Sequence, residues 1–173
     1  MDIFLEILKY TFPSLLMLLL AYIMLSNFIE NEENRRRYFL KRETQKSALP
    51  ARLQAYERLV LLLERITPSS LIVRLSSKGL TVKEYHSLIL KAIRNEFEHN
   101  LSQQVYITDE SWQMVVTAKS ATVSIINNIA GKMNPDDPGF ELGKKILEHA
   151  IELGHFPTKS AIHFLKEELH REI

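Results

Sequence analysis

Hydrophobic positions follow two different patterns along the chain. Residues 10–29 contain no charged side chain, whereas apolar positions from residue 50 onwards recur three and four apart. Twenty residues span about 30 Å as an α-helix, which matches the hydrocarbon thickness of a bilayer. The later spacing is typical of amphipathic helices that share a core. The pattern predicts an all-α fold, with an N-terminal transmembrane helix followed by a compact multi-helix bundle.

A cleaved secretion signal and a buried core helix are the alternatives for the first stretch. A signal begins with a positive segment and has an apolar core of about 7–15 residues. Here Asp2 and Glu6 precede Lys9, the apolar stretch is longer, and no small-x-small cleavage site follows. A buried helix normally keeps a polar stripe, which residues 15–25 lack. Residues 1–29 are therefore predicted to form a short extracytoplasmic tail and a membrane anchor.

Basic residues after the anchor predict its direction. Seven lie between residues 30 and 52, and only Lys9 precedes the anchor. The positive-inside rule then places the helical body in the cytoplasm and the N-terminus outside. Five of the seven are predicted to contact the lipid headgroups: Arg35, Arg36, Arg37, Lys41 and Arg42.

The rest of the chain divides into a linker and a domain. Residues 30–49 are charged and favour helix, and we expect a juxtamembrane helix or linker that ends before Pro50. Residues 50–173 are predicted to form a cytoplasmic α-helical domain of about six helices, which is enough for one core. Residues 103–108, QQVYIT, are β-like but isolated, so an extended connector is predicted there.

Local signals mark the boundaries of these helices. The clearest are a capping box at Thr81–Glu84, a threonine followed by two acids at Thr108–Glu110, and a Pro-rich turn at residues 134–139, NPDDPG. The helix after Thr108 has small residues in its middle, Ala118, Ser120, Ala121, Thr122 and Ser124. These favour close approach of a neighbouring helix, and a partner-docking surface is the second interpretation.

Two Glu-x-x-His patterns are the candidates for a metal site. Paired motifs of this kind on separate helices, with further glutamates, build di-metal centres in helical bundles. The candidate ligands are Glu96 with His99 and Glu167 with His170. Glu167 projects away from the apolar face of its helix, however, and both motifs lie near helix ends. No metal is therefore predicted, and a di-metal carboxylate–histidine enzyme remains the alternative function.

Other catalytic patterns are missing from the sequence. It has no cysteine, and no serine stands in a Gly-x-Ser-x-Gly elbow. The run from Gly139 to Lys145 has the wrong glycine spacing for a phosphate-binding loop and is interpreted as two permissive glycines and two exposed lysines. The Glu167–Glu168 pair fits an exposed helix better than a glycosidase site. No cofactor and no small-molecule substrate is expected.

Two segments of the domain carry a resemblance. LPARLQAYERLVLLLERITPSSL at 49–71 and EFEHNLSQQVYITDESW at 96–112, together with the apolar and charged N-terminal segments, resemble an uncharacterised family of small bacterial single-pass membrane proteins. The resemblance covers nearly the whole chain and implies a bacterial inner-membrane location. Because that family has no assigned activity, it implies no functional residue.

The sequence therefore predicts a membrane-anchored helical domain that acts by protein interaction or as a scaffold. Its expected partners are the lipid bilayer and either another protein or a second copy of the chain. A further hypothesis places the domain along the membrane surface through residues 35–46. Lys and Arg number 22 against 21 Asp and Glu, so no basic footprint for nucleic acid is expected.

Overall fold

The computed structural model describes the backbone of residues 2–172 and most of their side chains. Packing divides the chain into two compact units, residues 1–49 and 50–173. All of the regular secondary structure assigned to the described residues is helical, which confirms the all-α prediction. The side chains that lie outside the description are those of residues 2–12, 14, 34, 41–42, 44–47 and 172.

Helix α1 runs from Asp2 to Ile66 and includes Pro50. The expected helix end before Pro50 is therefore wrong. A proline inside a helix removes one backbone hydrogen bond and crowds the preceding turn. Strong helix formers stand on both sides of it and offset part of that cost: Ala48, Leu49, Ala51 and Arg52.

The second unit contains the C-terminal part of α1 and five further helices. A 3₁₀ helix, Leu101–Val105, lies between the third and fourth of the six. The predicted set of about six helices is thereby confirmed for the described residues. The helices after α1 are α2 Pro68–Arg74, α3 Val82–His99, α4 Asp109–Ala130, α5 Gly139–Glu152 and α6 Pro157–Glu172.

One apolar core holds the second unit together. Each long helix buries side chains at three- and four-residue spacing and exposes its opposite face. Burial of a Leu or Ile side chain contributes about 1.5–3 kcal/mol. On α1, Leu53 is exposed, whereas Leu62 is buried. The largest buried side chains include Tyr56, Leu59, Leu63, Ile66, Tyr85, Ile89, Ile93, Ile126, Leu142 and Ile146.

The start of α3 confirms the predicted capping box. The Glu84 backbone N–H donates to Thr81 Oγ1 at 3.3 Å, and the Thr81 N–H donates to the Glu84 carboxylate at 2.9 Å. These bonds from the backbone and the hydroxyl of Thr81 lower the pKa of Glu84. The cap thus satisfies backbone donors that would otherwise lack partners at the helix start.

The NPDDPG turn packs against this same helix start. The N–H of Val82 donates to the Asp137 carbonyl at 2.8 Å, and the N–H of Gly139 donates to the Leu80 carbonyl at 2.8 Å. A Cβ atom on Gly139 would lie 2.9 Å from the Leu80 carbonyl oxygen and 2.9 Å from Tyr85 Cβ. Gly139 is therefore needed for close packing, and its interpretation as a merely permissive backbone position is wrong.

The segment between α3 and α4 differs from the predicted extended connector. Its first part forms the 3₁₀ helix, in which the Gln103 N–H donates to the Asn100 carbonyl at 3.0 Å. The backbone is extended at Thr108, which caps α4 as predicted and accepts a bond from the Ser111 N–H at 3.2 Å. A 3₁₀ turn often continues an α-helix at its C-terminal end. The preference of the β-branched residues in this segment for extended backbone is too weak to prevent that turn.

Helix α4 packs along α3, α5 and α6. Its small residues divide between two faces, since Ala118 and Thr122 are buried and Ser120 and Ser124 are exposed. Thr122 Oγ1 donates to the Ala118 carbonyl at 2.8 Å, so its buried hydroxyl is satisfied. The buried pair fits the interpretation as close helix packing, and the exposed pair leaves the second interpretation open.

Candidate functional site

One segment of the described residues is long and apolar enough to cross a membrane, Leu15–Leu40 in α1. Its large apolar side chains are 45–73% exposed from Leu15 to Ile29, so none of them is covered by protein. The polar Ser26 hydroxyl donates to the Ile23 carbonyl at 3.0 Å within the same helix. The part from Leu15 to Ile29 therefore presents an exposed apolar surface in which the Ser26 hydroxyl is hydrogen-bonded.

Basic and aromatic side chains follow the apolar part of this segment. Arg35 pairs with Glu32 at 3.2 Å, and its guanidinium lies 6.0 Å from the centre of the Phe39 ring. An exposed ion pair of this kind contributes little to stability. Arg36 and Arg37 are exposed. The side chains of Lys41 and Arg42, also predicted to contact lipid, lie outside the described residues.

Glu96 on α3 is held by two arginines that the sequence does not associate with it. Arg65 Nε and Arg74 Nη1 lie 2.8 and 2.9 Å from the same oxygen, Glu96 Oε1. Desolvation raises the pKa of Glu96, but the hydrogen bonds and positive charges of Arg74 and Arg65 outweigh it, and the pKa falls below the usual value for a glutamate. This carboxylate ties α1, α2 and α3 together.

A polar cleft of about 600 Å³ lies between α1 and α3 beside this cluster. Arg65, Glu96 and His99 line it, together with polar and charged side chains of both helices. Because the Glu96 carboxylate is engaged by two guanidinium groups, it is a poor ligand for a cation. The cleft is best explained as the solvated edge of a structural ion-pair cluster.

The four candidate metal ligands lie in two separate environments. Glu96 and His99 line the polar cleft on α3, whereas Glu167 lies 3.4 Å from His163 on α6. His170 Nδ1 contacts the Lys166 carbonyl at 2.6 Å, within the same helix. Among the described residues, no group of three or more His, Asp or Glu side chains could hold a metal ion.

Glu168 differs from the exposed carboxylate that the sequence predicts. Its exposure is only 8%, and Thr108 Oγ1 and Ser111 Oγ donate to its two oxygens. Helix α6 thus places a carboxylate at the N-terminus of α4, where a negative charge is favourable. The Glu-Glu pair gives no sign of this, because burial of the second glutamate depends on the packing of α6 against α4. Glu167, as predicted, is exposed.

A second, more apolar groove of about 570 Å³ lies between α3 and α4. We call it the α3/α4 groove, and define it by Leu90, Arg94 and Phe97 of α3 and Lys119, Ser120 and Val123 of α4. Sequence reasoning missed it, since the residues of its two walls are 22 to 33 positions apart in the chain. Phe97 and Trp112 stack with ring centres 5.4 Å apart, which fixes the position of Phe97.

These features define an all-α protein with one apolar, exposed helical segment and a folded helical unit with an open groove. The chain belongs to the Family of unknown function (DUF7935), whose model matches residues 2–172. The predicted resemblance to an uncharacterised family is thereby confirmed. Comparison with curated proteins and with solved structures gave no match.

Proposed function

We propose that this protein is a single-pass membrane protein whose helical domain, residues 50–173, binds another protein. The observation that carries the proposal is the exposed apolar surface of Leu15–Ile29 in α1. Exposing a row of large apolar side chains to water is costly, at about 25 cal/mol for each Å². A bilayer removes that cost, and the uncharged stretch of residues 10–29 has the length that crosses a bilayer as a helix.

The basic residues after the segment support the proposed direction. Arg35, Arg36 and Arg37 follow it closely, and the aromatic rings of Tyr38 and Phe39 lie beside them with ring centres 6.2 Å apart. Arginines favour the cytoplasmic face, and amphipathic aromatics favour the headgroup region. We therefore place the N-terminus outside and the domain in the cytoplasm of a bacterial inner membrane, with the arginines at the lipid headgroups.

The interaction role is supported by the α3/α4 groove. Its apolar side chains lie beside charged ones on a folded unit, and such a combination is common in helix-binding grooves. Neither the polar cleft nor the metal candidates offers a comparable site, because their charged side chains contact one another or lie apart. We place the binding of a protein partner in the second unit and the attachment to lipid in the first.

Single introduced cysteines test the topology, because the chain has no cysteine of its own that would also be labelled. Val73 is 87% exposed, so Val73→Cys reports on the domain, and Asp2→Cys reports on the N-terminus. A membrane-impermeant maleimide should label Asp2→Cys in intact cells and Val73→Cys only after lysis. Labelling of Val73→Cys in intact cells would reverse the proposed direction. Recovery of the protein in the soluble fraction without detergent would refute the anchor.

Chemical crosslinking in native membranes tests the interaction. The tagged full chain, of 20.1 kDa, should appear in a discrete larger complex after purification under denaturing conditions. The crosslinked species should persist when the membranes are diluted with lipid, since a specific complex does not depend on crowding. If only the monomer is recovered over a range of crosslinker lengths, the interaction role is wrong.

A further inference from the structure

We infer that the α3/α4 groove binds an acidic amphipathic helix of the partner protein. This inference rests on the proposed interaction role and adds the site and the chemistry of the partner. The argument uses the apolar side chains of the groove, its charges and its length.

The apolar surface of the groove comes from both helices. Leu90 and Phe97 of α3 and Val123 of α4 are partly buried, and Leu101 at one end is 44% exposed. The stacking of Phe97 on Trp112 holds the largest of these side chains in place. Such a surface suits apolar anchors that recur every three or four residues on one face of a helix.

The charges of the groove are mainly positive. Arg94 lines it from α3 and Lys119 from α4, and Glu98 is the single acidic side chain among its described lining residues. Neither Arg94 nor Lys119 forms an ion pair with a described residue. Lys119 Nζ instead lies 4.2 Å from the centre of the Phe97 ring. Lys91 is exposed one helical turn before Arg94 and adds a further positive charge on the same side.

This arrangement favours a partner with carboxylates beside its apolar anchors. Such carboxylates would reach Arg94 and Lys119 while the apolar residues contact Phe97 and Val123. A basic helix would place its positive charges beside Arg94 and Lys119. This repulsion would exclude basic partners from the groove. A purely apolar segment would leave both cations without a counter-charge and gain nothing from them.

The length of the groove sets the length of the bound segment. The groove follows α3 from Leu90 to Glu98, about 12 Å, and continues to Leu101 at the start of the 3₁₀ helix, so it spans roughly three helical turns in all. One helical turn before Leu90 and one after Val123, His86 Nε2 and Asn127 Oδ1 form a hydrogen bond of 2.8 Å that joins α3 to α4. A partner helix of about three turns, with anchors at positions i, i+3 or i+4, and i+7, therefore fits.

Site-specific photocrosslinking of the full chain in native membranes tests this inference. Ser120 is exposed within the groove, so it can be replaced by p-benzoylphenylalanine, Ser120→Bpa, and the crosslinked peptide sequenced. We expect a peptide of net negative charge with apolar residues at helical spacing. The reversals Arg94→Glu and Lys119→Glu together should lower the yield at least tenfold, and Arg94→Lys with Lys119→Arg should retain most of it.

A matched control uses the same charge change outside the groove. Lys144 and Lys145 are exposed on α5, so Lys144→Glu with Lys145→Glu should leave the yield within twofold. Fluorescence of Trp112, the single tryptophan, reports whether each variant is folded. Loss of yield in a variant whose emission matches the wild type then reflects binding.

The remaining outcomes separate the inference from the proposed function. A crosslink to a second copy of this chain, to lipid or to a peptide without acidic residues would overturn the inferred partner class. Absence of any crosslink at Ser120, with chemical crosslinks still present, would overturn the groove as the site and leave the interaction role intact. Absence of both would refute the inference and the interaction role together.

Discussion

Gly139 gives the sharpest prediction for the fold, because a Cβ atom there would meet the backbone that leads into α3 and the Tyr85 side chain. In Gly139→Ala, the added methyl group would lie 2.9 Å from the Leu80 carbonyl oxygen, 2.9 Å from Tyr85 Cβ and 3.1 Å from the Thr81 carbonyl oxygen. Real Cβ atoms essentially never approach other heavy atoms to below 3.0 Å. Two of the three neighbours are backbone atoms, so a change of side-chain rotamer cannot relieve the contacts.

The expected cost follows from the atoms that would have to move. Relief requires the turn at 134–138 to move away from α3, which lengthens the bonds from the Val82 N–H to Asp137 and from the Gly139 N–H to Leu80, both 2.8 Å. Overpacking of this kind typically costs about 1–3 kcal/mol. For a chain of this size, 1 kcal/mol corresponds to about 2–4 °C in melting temperature. We therefore expect a loss of roughly 2–12 °C.

Equilibrium urea unfolding followed by Trp112 fluorescence would measure this cost. Gly131→Ala is the matched control, since Gly131 has ordinary helical angles, φ −64° and ψ −14°. A Cβ atom there would meet only the carbonyl oxygen of Asn127, in the preceding turn of the same helix, at 3.2 Å. The control should be neutral or slightly stabilising. If Gly139→Ala unfolds at the same urea concentration as the wild type, the close packing of the turn on α3 does not constrain the fold and the reasoning is wrong.

Three further predictions concern the polar contacts of the helical domain. Thr81→Ala removes the cap of α3 and should lower the free energy of unfolding by about 0.5–2 kcal/mol in urea titrations, and an unchanged midpoint would contradict the capping role. Glu96 has a lowered pKa in the fold, so its stabilisation is present above pH 4.5 and is lost as the pH falls through the folded-state pKa. The stability difference between the wild type and Glu96→Gln, measured from pH 7 to pH 3, should therefore shrink in acid, and a constant difference would refute the ion-pair explanation. Glu168→Ala deprives the buried Ser111 hydroxyl of its acceptor and should cost about 1–3 kcal/mol, with Glu168→Gln intermediate; equal stability of all three chains would show that this contact does not matter.

Helix positions could be predicted well from the sequence, because their signals are local. The Thr81–Glu84 capping box and the Thr108 cap each involve residues within three positions, so neither depends on the rest of the fold. The buried faces of the helices follow from the spacing of apolar residues for the same reason. Errors occurred where a local signal competes with its surroundings, as at Pro50, which lies inside α1 among strong helix formers.

Contacts between distant residues could not be predicted in this way. The Glu-x-x-His pattern at Glu96 suggested a metal ligand, yet the carboxylate is held by Arg65 and Arg74, which lie 31 and 22 positions away. Each of these arginines looks like an ordinary surface residue on its own helix. Glu168 is similar, since its hydroxyl partners lie 57 and 60 positions away. Such contacts require the relative placement of helices, which periodicity alone does not specify.

The α3/α4 groove would connect the proposed membrane attachment and the proposed binding of a partner in one function. A bound helix of about three turns covers a small area, and small interfaces generally give weak or transient complexes. Attachment of both partners to the same membrane would confine them and raise their effective concentration, so that weak contacts suffice. The charges of Arg94 and Lys119 would then select the correct partner among confined proteins, while the apolar contacts of Phe97 and Val123 supply most of the affinity. Under the proposed function, the anchor would supply proximity and the groove would supply specificity.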